Sequence, residues 1–124
     1  MTIFNPTARV QRLQSAVEDD GYNQDAHFML GEEYLREGRA MEAAVKFRRV
    51  VEMNPDHAEA WRMMGICYEQ GGVFKEAASA FNTAAYEFDR QGHIARAAEA
   101  RQWADRVMEN WLPGKSKREI IPNM

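Results

Sequence analysis

Apolar residues recur every three or four positions along most of this chain, and no stretch alternates apolar with polar, so the pattern predicts helices and no strands. Asn5 followed by Pro6 reads as an N-cap and a first-turn proline, opening a helix whose Val10, Leu13, Ala16 and Val17 form one stripe. Asp19, Asp20 and Gly21 stop it. Asn23 is placed to cap a second helix that runs to Gly38, and a third spans about Ala40 to Met53. Asn54 and Pro55 break the chain there, because proline disfavours helix in the residue before it. Asp56 and Glu59 have the spacing of a capping box for a fourth helix, which Gly71 and Gly72 end. A fifth is predicted from about Phe74 to Arg90. The sixth begins near His93 and is terminated by Trp111, Leu112, Pro113 and Gly114. Six helices joined by short connections imply an all-α stack of antiparallel pairs.

The second to fifth helices are one pattern written twice. Residues from Gln24 align with those from Ala58 (58 − 24 = 34): His27 with Trp61, Leu30 with Met64, Gly31 with Gly65, Tyr34 with Tyr68, Ala43 with Ala77, Phe47 with Phe81, Val50 with Ala84. A fixed period of this length marks stacked helical hairpins, an architecture that binds and rarely catalyses. Small residues at Gly31, Gly65, Ala43 and Ala77 allow helices to approach, while Tyr34, Phe47, Tyr68 and Phe81 fill the space between pairs.

Trp61, Met64, Gly65, Tyr68, Ala77, Phe81 and Ala84, with Leu30, Gly31, Tyr34, Ala43, Phe47 and Pro55 in the first copy, resemble the tetratricopeptide repeat. His27 departs from the family's tryptophan, and Asp89 stands where the first copy has Pro55. The resemblance implies repeats at 24–57 and 58–91, an N-terminal capping helix within 1–23, a C-terminal capping helix at 92–112 as a partial third copy, and a flexible basic tail at 113–124. It implies further that the first helix of each pair lines a concave groove. That stripe falls on Asp25, Phe28, Glu32, Leu35 and Arg36, then Glu59, Arg62, Met63, Ile66 and Glu69, continued by His93, Arg96, Ala100 and Trp103. Spacings of three and four keep each set on one face. Phe28, Leu35, Met63, Ile66 and Trp103 are apolar without being required by the repeat's core, which suits an adaptable apolar groove. The family's carboxylate clamp uses Lys and Asn where this chain has Phe28, Glu32 and Met63, so a heat-shock-chaperone clamp is argued against.

With 16 Lys and Arg against 19 Asp and Glu in 124 residues, the net charge is −3 and gives no footprint for nucleic acid. Only residues 92–124 are basic, and Lys115, Lys117 and Arg118 read as a solvated terminus. No stretch approaches the ~18 apolar residues of a membrane span, and the first residues lack the pattern of a signal peptide. A single cysteine, Cys67, agrees with a reducing, cytoplasmic setting and reads as a small core residue.

His27, His57 and His93 share no metal-ligand spacing, Gly71 and Gly72 lack the lysine of a phosphate loop, and the adjacent acids point to different helix faces. Catalytic residues, metal and cofactor are therefore expected to be absent. The sixth helix has apolar residues over an arc of about 180°, wider than the ~100° stripe of an ordinary surface helix. Trp103, Val107 and Trp111 lie close together on it, which predicts homodimer formation or docking of the tail through Ile120 and Ile121. The resulting reading is a small, bacterial-type interaction module or assembly adaptor that takes a peptide or helix of a partner protein in its groove. Phe28, Glu32, Leu35, Arg62, Met63, Ile66, Arg96 and Trp103 are the candidate contacts. A chaperone shielding an apolar client segment and a homo-oligomeric scaffold are the alternatives.

Overall fold

The computed structural model describes residues 6–111, with side chains described from residue 8 onward. Six helices and no strand occur among the described residues: α1 (Pro6–Asp19), α2 (Gln24–Arg36), α3 (Ala40–Met53), α4 (Ala58–Gln70), α5 (Phe74–Arg90) and α6 (Ile94–Trp111). Each packs chiefly on its neighbours in sequence, giving the all-α stack of hairpins. Asn5, Leu112 and the tail, with Ile120 and Ile121, lie outside the described residues.

Local chemistry explains the helix ends. Asn23 caps α2 by accepting from the Ala26 N–H at 3.0 Å. The capping box expected of Asp56 does not form. His57 is the N-cap of α4, its Nδ1 accepting from the Ala60 N–H at 3.1 Å, while Asn54 takes the Asp56 N–H and Glu59 turns to Arg62. Helices α2, α4 and α5 end alike. Gly38, Gly72 and Gly92 adopt φ of 80°, 78° and 84°, and the residue after each donates to a carbonyl five positions back, Tyr34, Tyr68 and Phe88, at 2.8 Å. This is the Schellman arrangement, in which the left-handed position favours glycine.

That third cap is where the repeats stop matching. Pro55 stops α3 after 14 residues, whereas α5 runs for 17 and is ended by Gly92. The extra turn carries Phe88, whose counterpart one period earlier is Asn54, outside any helix (88 − 34 = 54). Consequently α6 is attached by the kind of turn that joins the two helices of a hairpin.

The core follows the repeat. Leu30, Ala43, Phe47, Val50, Cys67, Ala77 and Phe81 are almost wholly buried in one cluster; Ala58, Ala84, Ala85, Phe88, Ala97 and Ala100 form a second beneath α6. Both ends of the stack are closed by helices with polar outer faces. On α6, Ala97, Ala100, Ala104 and Val107 face inward, and Arg96, Glu99, Arg101, Gln102, Asp105 and Arg106 face solvent. The wide apolar arc expected of α6 is thus mostly consumed. Its large exposed members are Ile94 and Trp111, at opposite ends of the helix.

Cys67 is fully buried, and loss of hydration pushes its thiol up to about 12. The folded protein is expected to resist a thiol reagent at pH 8 over a period in which the urea-unfolded chain reacts completely. Rapid labelling of the folded protein would show that α4 opens readily.

Candidate functional site: two depressions between the first helices of each pair

Two hollows lie along the side formed by α2, α4 and α6. The smaller, about 250 Å³, sits between α2 and α4 and is lined by Glu32, Leu35, Arg36 and Met63. The larger lies where α4, α5 and α6 meet and has two adjoining lobes, of about 260 and 490 Å³, sharing Glu59, Phe88 and Arg96. Arg62 and Glu99 complete the first lobe; Asn54, Asp56, His57, Ala58, Gln91 and His93 complete the second. Phe88, itself buried, supplies an aromatic wall and meets His93 edge-on at 6.2 Å. This hollow exists because α5 continues past the point where α3 stops. Gln91 and Arg90 tie that extra turn down, Gln91 Nε2 donating to the Asp56 carbonyl at 2.6 Å and Arg90 reaching the Asp56 carboxylate at 3.4 Å.

Charge is divided between committed and uncommitted groups. Arg62 grips Glu59 through Nε at 2.9 Å and Nη2 at 2.5 Å, and this fork holds its guanidinium above the usual arginine range. Arg36 bonds Glu33 at 2.7 Å, on a carboxylate that Arg9 also approaches at 2.9 Å. By contrast Glu32 and Arg96 form no ion pair among the described residues, and Glu99 acts on Arg62 only through space, without a direct bond. Such side chains can engage a ligand without first giving up a partner.

Of the residues singled out in the sequence, Glu32, Leu35 and Met63 share the smaller hollow, and Arg62 and Arg96 share the larger. Ile66 is half-buried against the core. Phe28 is half-buried too, but its ring is already engaged: it meets Phe47 edge-on at 5.1 Å and stacks on His57 at 5.2 Å. Trp103 lines neither hollow. It lies on Phe81 with centroids 6.0 Å apart, and the Arg106 guanidinium covers its ring at 4.0 Å, so it seals α5. Val107 is fully buried, which takes it off any outer surface, and Trp111 is 37% exposed at the end of α6. Among the described residues, Trp103, Val107 and Trp111 therefore do not form one uncovered patch. Sequence reasoning missed Phe88, Gln91 and Glu99. The available signal was the missing proline at Asp89, with Gly92 as the next stop.

Among the described residues, no three His, Cys, Asp or Glu side chains gather as a metal set, and no helix is long and apolar enough to cross a membrane.

A model of the tetratricopeptide repeat family matches residues 28–93. Among solved structures, MamA of MSR-1 superposes with a TM-score of 0.54 at 20% identity, over 83% of this chain and 67% of that one. A further MamA protein gives 0.57 at 18% identity over 84% and 64%, and MamA of AMB-1 gives 0.55 at 18% over 86% and 66%. The chain thus spans about two-thirds of the length of these structures, and the likeness is one of fold. No curated protein matches it.

Proposed function

We propose that this chain, which belongs to the tetratricopeptide repeat family of protein-interaction modules, binds a segment of a partner protein along α2, α4 and α6. The observation that carries this reading is the larger hollow, with Phe88 as its aromatic wall and Arg62 and Arg96 on its rim. An apolar side chain of the ligand would enter beside Phe88, an acidic one would meet Arg96, and the segment would continue over Met63 and Leu35 toward Glu32. Burying an apolar anchor gains roughly 1.5–3 kcal/mol, whereas an exposed charge pair adds about 0–1. Apolar contacts would therefore set affinity, and Arg96 would tune selectivity and salt dependence. The proposal places this work in the cytoplasm, where the buried Cys67 thiol stays reduced.

The test is to capture the partner from source lysate, map its bound segment, and compare variants by calorimetry after confirming that each folds. Met63→Ala is expected to weaken binding about tenfold, and Arg96→Ala about threefold with a shallower salt dependence. Phe28→Ala is a poor probe, because removing that ring also strips Phe47 and His57 of a neighbour. Unchanged binding in both Met63→Ala and Arg96→Ala would move the site off this side of the stack.

A further inference from the structure

His27 occupies the slot that Trp61 fills in the second copy, and the two rings make the same bond. Trp61 Nε1 donates to the carbonyl of Pro55 at 2.9 Å, and His27 Nε2 lies 3.0 Å from the carbonyl of Gly21, in each case six residues back. A carbonyl only accepts, so the proton of a neutral His27 must sit on Nε2. The other ring nitrogen, Nδ1, is buried and has no hydrogen-bond partner. Indole cannot take up a proton at that point; imidazole can.

The surroundings oppose that proton. His27 is 6% exposed, lies in the first turn of α2 where the helix dipole is positive, and faces Lys46 and Arg49 from α3. The nearby acids Glu18, Asp19, Asp20 and Asp25 are all exposed, and Asp20 already accepts from the Tyr22 N–H at 3.0 Å. Burial first, then the two cations, hold His27 below the usual histidine range; the Gly21 bond works the other way and does not prevail. The ring's bond fixes the turn joining α1 to α2. Beyond that turn, α1 is held by Val10, Leu13 and Val17, by Gln14 donating to the Tyr34 hydroxyl at 2.7 Å, and by Arg9 on Glu33. Glu33 keeps Arg36 if Arg9 leaves.

We propose that His27 is an acid-sensitive latch: neutral, it pins the α1–α2 turn through Gly21, and protonated on Nδ1 it leaves its seat, so that α1 lifts and bares the apolar side of α2 while the Trp61-anchored turn stays closed. The sign follows from linkage. A histidine depressed in the closed state stabilises that state fully above the free-imidazole value of about 6.5, and the contribution is lost as pH falls through the closed-state value.

Residue-resolved amide exchange at pH 7.5 and pH 5, corrected for intrinsic rates, tests this. Protection in α1 and the first turn of α2 is expected to fall at least tenfold on acidification, with that of α4 and α5 unchanged. His27→Gln keeps an N–H donor without a titrating ring and should abolish the difference. Unchanged protection in α1, an equal fall in α4 and α5, or a pH dependence that survives His27→Gln would overturn the latch. Should that variant not fold, the NMR titration of the native His27 ring decides: a midpoint below that of a free histidine upholds it, and one at or above that value overturns it.

Discussion

Phe81→Ala is expected to remove about 3–5 kcal/mol of stability, and Gly65→Ala, a far smaller change, to destabilise as well. The second result is the more diagnostic. In an exposed helix, Gly→Ala gains roughly 1 kcal/mol from propensity alone. Here a Cβ on Gly65 would stand 2.8 Å from three atoms of the Phe81 ring, which is 1% exposed and backed by Trp103, so the ring has nowhere to go. Overpacking of this kind costs about 1–3 kcal/mol, leaving a net loss of up to about 2 kcal/mol. Gly31 and Phe47 repeat the arrangement, again at 2.8 Å, and Gly31→Ala should behave alike. Because one ring causes both penalties, Gly65→Ala should cost less in a Phe81→Leu background, a coupling that a double-mutant cycle reads. A higher melting temperature for Gly65→Ala in the native background would mean that the close approach is not tight.

Those two glycines also show why so much of the fold could be read from residues alone. A period of 34 fixes which positions meet, and the small residue in one helix answers the aromatic in the next whatever the remaining side chains do. The six helices, the glycine stop at Gly38, the end of α4 at Gly71 and Gly72, the Asn23 cap and the inward stripe of α1 all followed from local chemistry. The α4 cap did not, because Asp56 and His57 are both able to cap and the choice depends on contacts distant in sequence: Arg90 and Gln91 draw Asp56 toward α5, and Phe28 holds the His57 ring.

The candidate site was less legible than the fold, for a related reason. Its larger hollow is created by a departure from the repeat, the extra turn of α5, and periodicity has no account of a residue such as Phe88 whose counterpart, Asn54, is not helical. Nor does spacing reveal which charges are spent. Glu33 with Arg36, Glu59 with Arg62, and Glu87 with Arg90 are all three apart and all bonded, while Arg96 and Glu99 have the same spacing and are not. Trp103 had the spacing of a groove residue, but α6 is attached by a hairpin-type turn and turns that ring onto Phe81.

Trp61→Ala is the other change expected to cost heavily, about 3 kcal/mol. Trp61 is only half-buried, so its exposure alone understates its role. It is packed against both hydrophobic clusters, the large one reaching from Val10 of α1 to Val107 of α6 and the smaller one shared by α4, α5 and the first half of α6, and its indole N–H anchors the Asn54–Pro55 turn. Truncation would remove the contact that joins the two clusters and leave the Pro55 carbonyl to water. Trp61→Phe keeps most of the ring and loses the bond, which is worth about 1 kcal/mol, so the pair of variants separates packing from hydrogen bonding. Since stack stability is a sum of repeat and interface contributions, Trp61→Ala should also broaden the thermal transition, α6 loosening before α2 and α3. A sharp transition at the native melting temperature would show that Trp61 belongs to the binding surface and not to the core.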